Sequence, residues 1–265
     1  FSRIIEINKK YFAYQLEKKF GIEKEFARGS TLKTITKEEF TKFQIPVPPL
    51  AIQEKIVEIL DKFTQLETEL ETELEARKAQ YQFYRNQLLA FENKEVEWKN
   101  LGEICFYPRK RISADVVDLH NYVGVDNLLQ DRQGKTFSTY VPTIGNLIEF
   151  IDNDILIGNI RPYLKKIWKS NCVGGTNGDV LVVRINDENS NIMNSDFLYH
   201  LLSSDEFFFF NMKFAKGAKM PRGDKDSILK FRIPLPPLAE QKRIVKILDQ
   251  FDDLVNNISS GLPAE

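Results

Sequence analysis

Residues 45–91 constrain this chain more than any other stretch. The segment opens Ile45-Pro46-Val47-Pro48-Pro49-Leu50-Ala51-Ile52-Gln53 and passes directly into a helical pattern. With the heptad counted from Ile56, position a holds Ile56, Phe63, Leu70, Arg77, Tyr84 and Phe91, and position d holds Leu60, Glu67, Leu74, Tyr81 and Leu88. Nine of these eleven are apolar over five heptads, which is the pattern of a coiled-coil seam rather than of an ordinary surface helix. Pro48 and Pro49 cannot lie inside a helix but suit its entrance. Helical from Gln53 to Phe91, the rod would be roughly 58 Å long at about 1.5 Å per residue. No small domain needs such a helix for its own core, so the rod spans a distance.

The stretch occurs twice. Ile233-Pro234-Leu235-Pro236-Pro237-Leu238-Ala239-Glu240-Gln241 repeats the entrance, and Ile244, Val245, Ile247, Leu248, Asp249 and Phe251 repeat Ile56, Val57, Ile59, Leu60, Asp61 and Phe63 at a constant offset of 188. The offset also brings Gly29 onto Gly217, and further upstream an indel sets Phe12–Leu16 against Phe197–Leu201. The chain thus holds two copies of a unit made of globular domain, Pro-rich elbow and long helix. Most of the first globular domain has no counterpart here, and Phe1 is no initiator Met, so the sequence reads as a fragment of a longer chain.

Both copies, at Ile45–Phe63 and Ile233–Phe251, resemble the specificity subunits of type I restriction–modification systems. That family repeats a target-recognition domain, an elbow close to I-P-(L/V)-P-P-L-x-x-Q-x-x-I-V-x-x-L-D-x-F, and a long helix. The likeness continues through Glu75–Tyr81 and Tyr84–Leu89. It implies an α+β fold in which globular target-recognition domains of mixed strands and helices are joined to long coiled-coil helices. The expected divisions are the end of a first target-recognition domain with its elbow at 1–50, a spacer helix at 51–95, a second such domain at 96–237, and the start of a distal helix at 238–265. The resemblance further implies antiparallel pairing of the rods, two modification subunits that bind S-adenosylmethionine and methylate adenine, and ATP-dependent restriction subunits, with Mg also on the partners.

Net charge is −1, which suits a nucleic-acid binder only once divided. Residues 53–97 carry a net −5, residues 1–52 a net +4 and residues 98–236 a net +2. Acid lies on the rod and base on the globular parts, as expected if the domains touch phosphates and the rod does not. No 18-residue apolar run and no signal-like N-terminus occurs, so a cytoplasmic protein without membrane contact is expected. Cys105 and Cys172 lack metal spacing and read as ordinary buried thiols.

In chain order, Tyr11–Phe20 reads as a helix with Phe12, Leu16 and Phe20 on one face, Gly29–Thr31 as a turn, and Thr36 with Glu39 as the cap of a short helix. A charged linker, Asn93–Glu97, follows the rod. In the second domain Tyr122–Val125, Ile155–Ile157, Lys166–Trp168 and Val180–Val183 read as strands and Ser195–Ser203 as a helix.

Three basic loops are the DNA candidates. The first holds Arg109, Lys110 and Arg111; the second Asn159, Arg161, Lys165 and Lys166, with Lys169 beyond; the third Lys216, Lys219 and Arg222 among glycines. Lys and Arg attract phosphate, while Arg on guanine and Asn on adenine read bases. The bland alternative for any one of them is a solvated surface charge. Gly174–Asp179 is a plain turn or a base-reading loop, with Asn177 as its reader and the turn favoured. Phe207–Phe210 reads as core. The partner-docking and coiled-coil set is Ile56, Leu60, Phe63, Leu70, Leu74, Tyr81, Tyr84, Leu88, Ile244, Leu248 and Phe251.

Catalytic signals are missing from the sequence. Gly134-Lys135-Thr136 would need a P-loop glycine where Leu129 stands, Asn159–Tyr163 is not the Asn-Pro-Pro-Tyr of amino-methyltransferases, and His120 and His200 stand alone. The expectation is therefore a non-enzymatic DNA-recognition subunit with no cofactor of its own. A coiled-coil adaptor that binds protein, and a nuclease whose motif lies outside this sequence, are the alternatives. The tandem Glu67-Thr68-Glu69-Leu70 and Glu71-Thr72-Glu73-Leu74 further suggests a helix that can change length in four-residue steps.

Overall fold

The computed structural model describes residues 6–26, 36–91 and 95–261. The chain divides into two compact units, one running to Arg77 and taking in the chain from Asn257 onward, the other Lys78–Asn256.

In the first unit, helix α1 (Lys9–Phe26) and short α2 (Lys37–Thr41) precede α3 (Leu50–Leu89), whose 40 residues continue into the second unit. The helix α1 turns a different side inward than its Phe spacing suggests. Tyr11 is the buried residue, its hydroxyl donating to the Pro46 carbonyl at 2.9 Å, while Phe12 and Phe20 stay exposed. A polar anchor explains this choice, because a half-polar ring is buried where a carbonyl can receive it. Phe20 instead stacks on Phe40 and meets Phe43 edge-on. Short α2 begins directly after Thr36, whose carbonyl accepts from Phe40 N at 3.0 Å; the Glu39 side chain and the turn expected at 29–31 lie outside the described residues. At the elbow, α3 starts at Leu50, one residue beyond Pro49. Gln53 is fully buried there. Its Oε1 accepts from Asn8 N (2.8 Å) and its Nε2 donates to the Pro48 and Glu6 carbonyls (2.7 and 3.2 Å).

The second unit follows α3 with β1 (Glu97–Asn100), α4 (Leu101–Ile104), β2 (Cys105–Phe106), β3 (Arg111–Ser113), β4 (Tyr122–Val123), β5 (Asn146–Phe150), β6 (Ile155–Gly158), β7 (Ile167–Lys169), β8 (Gly174–Thr176) and β9 (Val180–Ile185). Helices α5 (Ser195–Leu202), α6 (Asp205–Lys213) and α7 (Lys225–Ile228), strand β10 (Arg232–Leu235) and helix α8 (Leu238–Gly261) complete it. Two four-stranded sheets form, β2-β9-β6-β7 and β3-β5-β8-β4, along with the pair β1-β10. All pairings are antiparallel except β4 with β8.

Strands β6 and β9 are apolar on both faces because both faces are covered. Ile155, Ile157, Leu181 and Val183 join α5, α6 and the start of α8 in the main core, while Leu156, Val180 and Val182 meet Val123 and Phe150 of the other sheet and Leu128 beyond β4. Phe207 and Phe208 are core as expected, but Phe209 is 71% exposed. Cys105 is buried and its thiol pushed up to about 12 by burial, whereas Cys172 is only half-buried.

Three elements differ from the sequence reading. Gly174-Gly175-Thr176 is the buried strand β8 rather than a turn, because a Cβ on Gly174 would meet the Asn121 carbonyl at 2.0 Å and the Phe150 ring at 2.4 Å. The second elbow is not only a bend: Ile233-Pro234-Leu235 pairs with β1, Pro234 lying opposite Trp98. Third, α3 stops at Leu89, and Glu97 of the expected linker already belongs to β1. At the second elbow α8 starts one residue beyond Pro237, and Gln241 is fully buried, accepting from Asn194 N (2.8 Å) and donating to the Pro236 and Ile192 carbonyls (both 2.8 Å).

Candidate nucleic-acid interface

The second and third basic loops are interlocked. Beyond β6, Asn159 N donates to the Asp179 carbonyl (2.8 Å) and Arg161 N to the Pro221 carbonyl (2.7 Å), while Gly223 N donates back to the Asn159 carbonyl (3.1 Å). The third loop closes on itself, with Lys216 and Arg222 exchanging backbone hydrogen bonds of 2.9 and 2.8 Å. Gly217 supplies its left-handed corner (φ +100°) and Lys219 sits at its exposed tip. The second loop bends twice without glycine: Arg161 (φ 53°, ψ 63°) and Lys165 (φ 50°, ψ 43°) are both left-handed, a conformation that L side chains adopt at a cost and that surrounding contacts must hold.

The first loop borders this region through a groove. Arg109 and Arg111 line a groove of about 880 Å³ together with Tyr107, Lys225, Asp226 and Val180. Val180 follows Asp179, which receives Asn159 N and pairs with Arg222 at 3.3 Å. The three loops therefore adjoin around Asp179–Val180.

Geometry sorts the candidate cations into two sets. Lys110 pairs with Glu149 (2.9 Å), Lys165 with Asp205 (2.7 Å), Lys169 with Asp196, Lys216 with Asp224 (2.5 Å) and Arg222 with Asp179. Lys166 Nζ donates to the Val125 carbonyl at 2.8 Å. Among the described residues Arg109, Arg111, Arg161 and Lys219 are exposed with no side-chain partner. Asn159 is buried, and Asn177 is used locally, accepting from Asp179 N (3.0 Å) and donating to the Tyr122 hydroxyl (3.3 Å).

Two of these carboxyls, Asp224 and Asp205, are lowered by their partners. The Lys216 ammonium and the Ser227 donors hold the Asp224 carboxyl well below the usual range, at about 2. Burial alone would raise Asp205, but hydrogen bonds from Lys165 and Arg132 outweigh it and lower that carboxyl as well. Sequence reading missed Arg132, Lys225 and Asn211. Lys225 alone carried a signal, standing two residues after Gly223 of the third loop.

Of the expected seam, Ile244 and Leu248 are fully buried, and Phe251 stacks on Tyr84 (5.4 Å) and lies 6.2 Å from Tyr81. Tyr81 and Leu88 lean on the main core. In the first unit Ile56 and Leu60 are half-buried and Leu74 buried, while Phe63 and Leu70 are open at 65% and 39% exposure. Beneath the aromatic contacts lies a polar cluster. Buried Arg85 donates to the His200 carbonyl (2.8 Å), His200 Nε2 faces Asp249 Oδ1 (3.1 Å), and Tyr81 bonds Asp252, whose carboxyl burial pushes up. His200 is thus not alone: Asp249 and Asp252 join it with ligand atoms within 4.8 Å of one another. The Arg85 charge close by disfavours a cation there.

A family model described as the type I restriction modification DNA specificity domain matches residues 1–77 and 93–265. The chain is 34% identical over 274 residues to the type I restriction enzyme EcoR124I/EcoR124II specificity subunit of Escherichia coli, a match that spans 97% of the chain and 66% of that protein. It is 29% identical over 251 residues to the EcoprrI specificity subunit of the same species, spanning 87% of the chain and 57% of that protein. The fold is similar to the crystal structure of the HsdS subunit from Thermoanaerobacter tengcongensis, with a TM-score of 0.55 at 18% identity, covering 97% of the chain and 66% of that structure. The chain therefore spans less than two thirds of the length of each of these three proteins.

Proposed function

The chain belongs to the type I restriction modification DNA specificity family, and from that premise we propose that it is a non-catalytic DNA-reading subunit of a methyltransferase and endonuclease complex. The Lys78–Asn256 unit reads one half of a split duplex target through its three adjoining loops. Free cations there meet phosphates and base edges, while the paired cations hold the loops in place. The long helix sets the separation between half-sites, and its seam docks two modification subunits. Those subunits carry S-adenosylmethionine, and restriction subunits carry ATP and Mg. The complex works in the cytoplasm; no helix among the described residues is long and apolar enough to cross a membrane.

One observation carries this reading: Arg109, Arg111, Arg161 and Lys219, far apart in sequence, are the unpartnered cations of loops that adjoin at Asp179–Val180. The test is duplex binding by the protein assembled with its modification subunits, across a salt series and against scrambled targets. Sequence-specific binding whose affinity falls steeply with salt is expected. Binding indifferent to sequence and to salt would leave only a protein-binding adaptor.

A further inference from the structure

We propose that Arg161 is a base-reading side chain of the second unit and that it reads a guanine. This deepens the DNA-reading role proposed above and rests on it.

A base reader has to combine three properties: a free head group, access to solvent and a backbone that does not move. Arg161 combines them. Its guanidinium is exposed and has no partner among the described residues. Its backbone is left-handed, with φ 53° and ψ 63°, a region that suits glycine and that an arginine occupies only when neighbouring contacts enforce it. Those contacts are present on both sides. Arg161 N is held by the Pro221 carbonyl at 2.7 Å, Ile160 bridges Arg222, and the following turn is shut by Lys165 N on the Pro162 carbonyl at 3.0 Å. Arg132 N then holds the Lys165 carbonyl at 3.0 Å, and Lys165 Nζ is fixed on Asp205.

Beneath the loop the packing is closer still. Asn159 and Asn211, 5% and 1% exposed, crowd Gly223 so tightly that a Cβ there would meet their Oδ1 atoms at 2.8 and 2.2 Å. Gly223 N is in turn bonded to the Asn159 carbonyl. The loop that carries Arg161 therefore cannot slide against the loop that carries Arg222. The nearby Arg222 is drawn onto Asp179, and Lys165 and Lys169 onto Asp205 and Asp196. They supply positive potential, but their head groups are engaged. Lys219 is free but is a point charge at a loop tip, suited to phosphate. A guanidinium presents the planar fork that matches guanine O6 and N7, which makes guanine the base it selects.

The test uses the protein assembled with its modification subunits, on a duplex whose target is first fixed by mapping the methylated sites. Each guanine of the half-site read by the second unit is replaced in turn by 7-deazaguanine, which removes N7 alone. In the wild type, one position should weaken binding about tenfold. Arg161→Gly should make that position insensitive while leaving the other half-site and the thermal midpoint intact, because glycine suits the backbone at 161. Arg161→Lys should keep the salt dependence and lower the sensitivity, because an ammonium lacks the planar fork. Equal deazaguanine sensitivity in wild type and variants, or no sensitive guanine in that half-site, overturns the assignment while the DNA-reading role stands. A wild-type complex without sequence preference overturns both.

Discussion

Gln53 and Gln241, 188 positions apart, bury the same amide in the same three hydrogen bonds. Each accepts from the backbone N of an asparagine, Asn8 or Asn194, that caps the next helix, and each donates to the proline carbonyl five residues before it. Each also donates to a carbonyl two residues upstream of that asparagine, Glu6 or Ile192. The glutamine nails the elbow to the globular domain. It also corrects the alignment of the copies upstream. Asn8 with Asn194 and Tyr11 with Phe197 give an offset of 186, not the 185 that matching Phe12 to Phe197 suggested. The same offset sets Tyr14, bonded to Asp61, against His200, bonded to Asp249.

Replacing Gln241 with Ala should therefore cost about 3 kcal/mol of stability, since it takes the partner from three backbone groups at the elbow. Gln241→Glu should not recover the loss at neutral pH, because a carboxylate cannot donate to Ile192 and Pro236. Chemical denaturation of the two variants measures both.

Gly174→Ala should destabilise by about 3 kcal/mol through overpacking against Asn121 and Phe150. Gly178→Ala, where nothing lies within 4 Å of the added carbon, should be close to neutral. Thermal melts of the pair separate a packed strand from a turn.

The third loop should respond to acid. Asp224 is held down to about 2, below its ordinary 3.8, by Lys216 and Ser227. A carboxyl lowered in the folded state adds stability above its unfolded pKa and loses it as pH falls through the folded one. Between about pH 4 and 2 the wild type should lose a contribution that Asp224→Asn never has. The difference in their stability should shrink across that window when unfolding is followed against pH.

Lys219→Ala with Arg222→Ala should weaken specific binding and reduce the slope of log affinity against log salt by about one per lost phosphate contact. Most of the change should come from Lys219, because Arg222 is already paired. Unchanged affinity and slope would remove this loop from the interface.

Adding a third Glu-Thr-Glu-Leu unit after Leu74 lengthens the helix by about 6 Å, against a rise of about 3.4 Å per base pair. The spacer of the methylated target should grow by one or two base pairs with both half-sites unchanged. Methylation mapping of variants with one, two and three units reads this directly.

The elbows and rods were legible because they repeat at a fixed offset, and β6 and β9 because apolar runs mark strands covered on both faces. Strand β8 was not, since Gly-Gly-Thr has almost no side chain to show a pattern and its glycines serve close approach rather than turning. Strand β10 hid behind its proline, Pro234, which a two-stranded pair tolerates. At the interface, composition located the cations but not their partners. Asp205, Asp196 and Asp179 lie on other elements, so only the folded chain separates the engaged lysines from free Arg161.

The closure of the second loop has a consequence for how such a protein changes over time. Gly158 N donates to the Lys166 carbonyl at 2.9 Å, so the loop's two ends meet where β6 and β7 begin to pair. Between these posts, residues 159–165 form a cassette. Its exposed side chains, Arg161 and Tyr163, can be exchanged while buried Asn159 and the strands on either side keep their register, so a new address can be written without rebuilding the house.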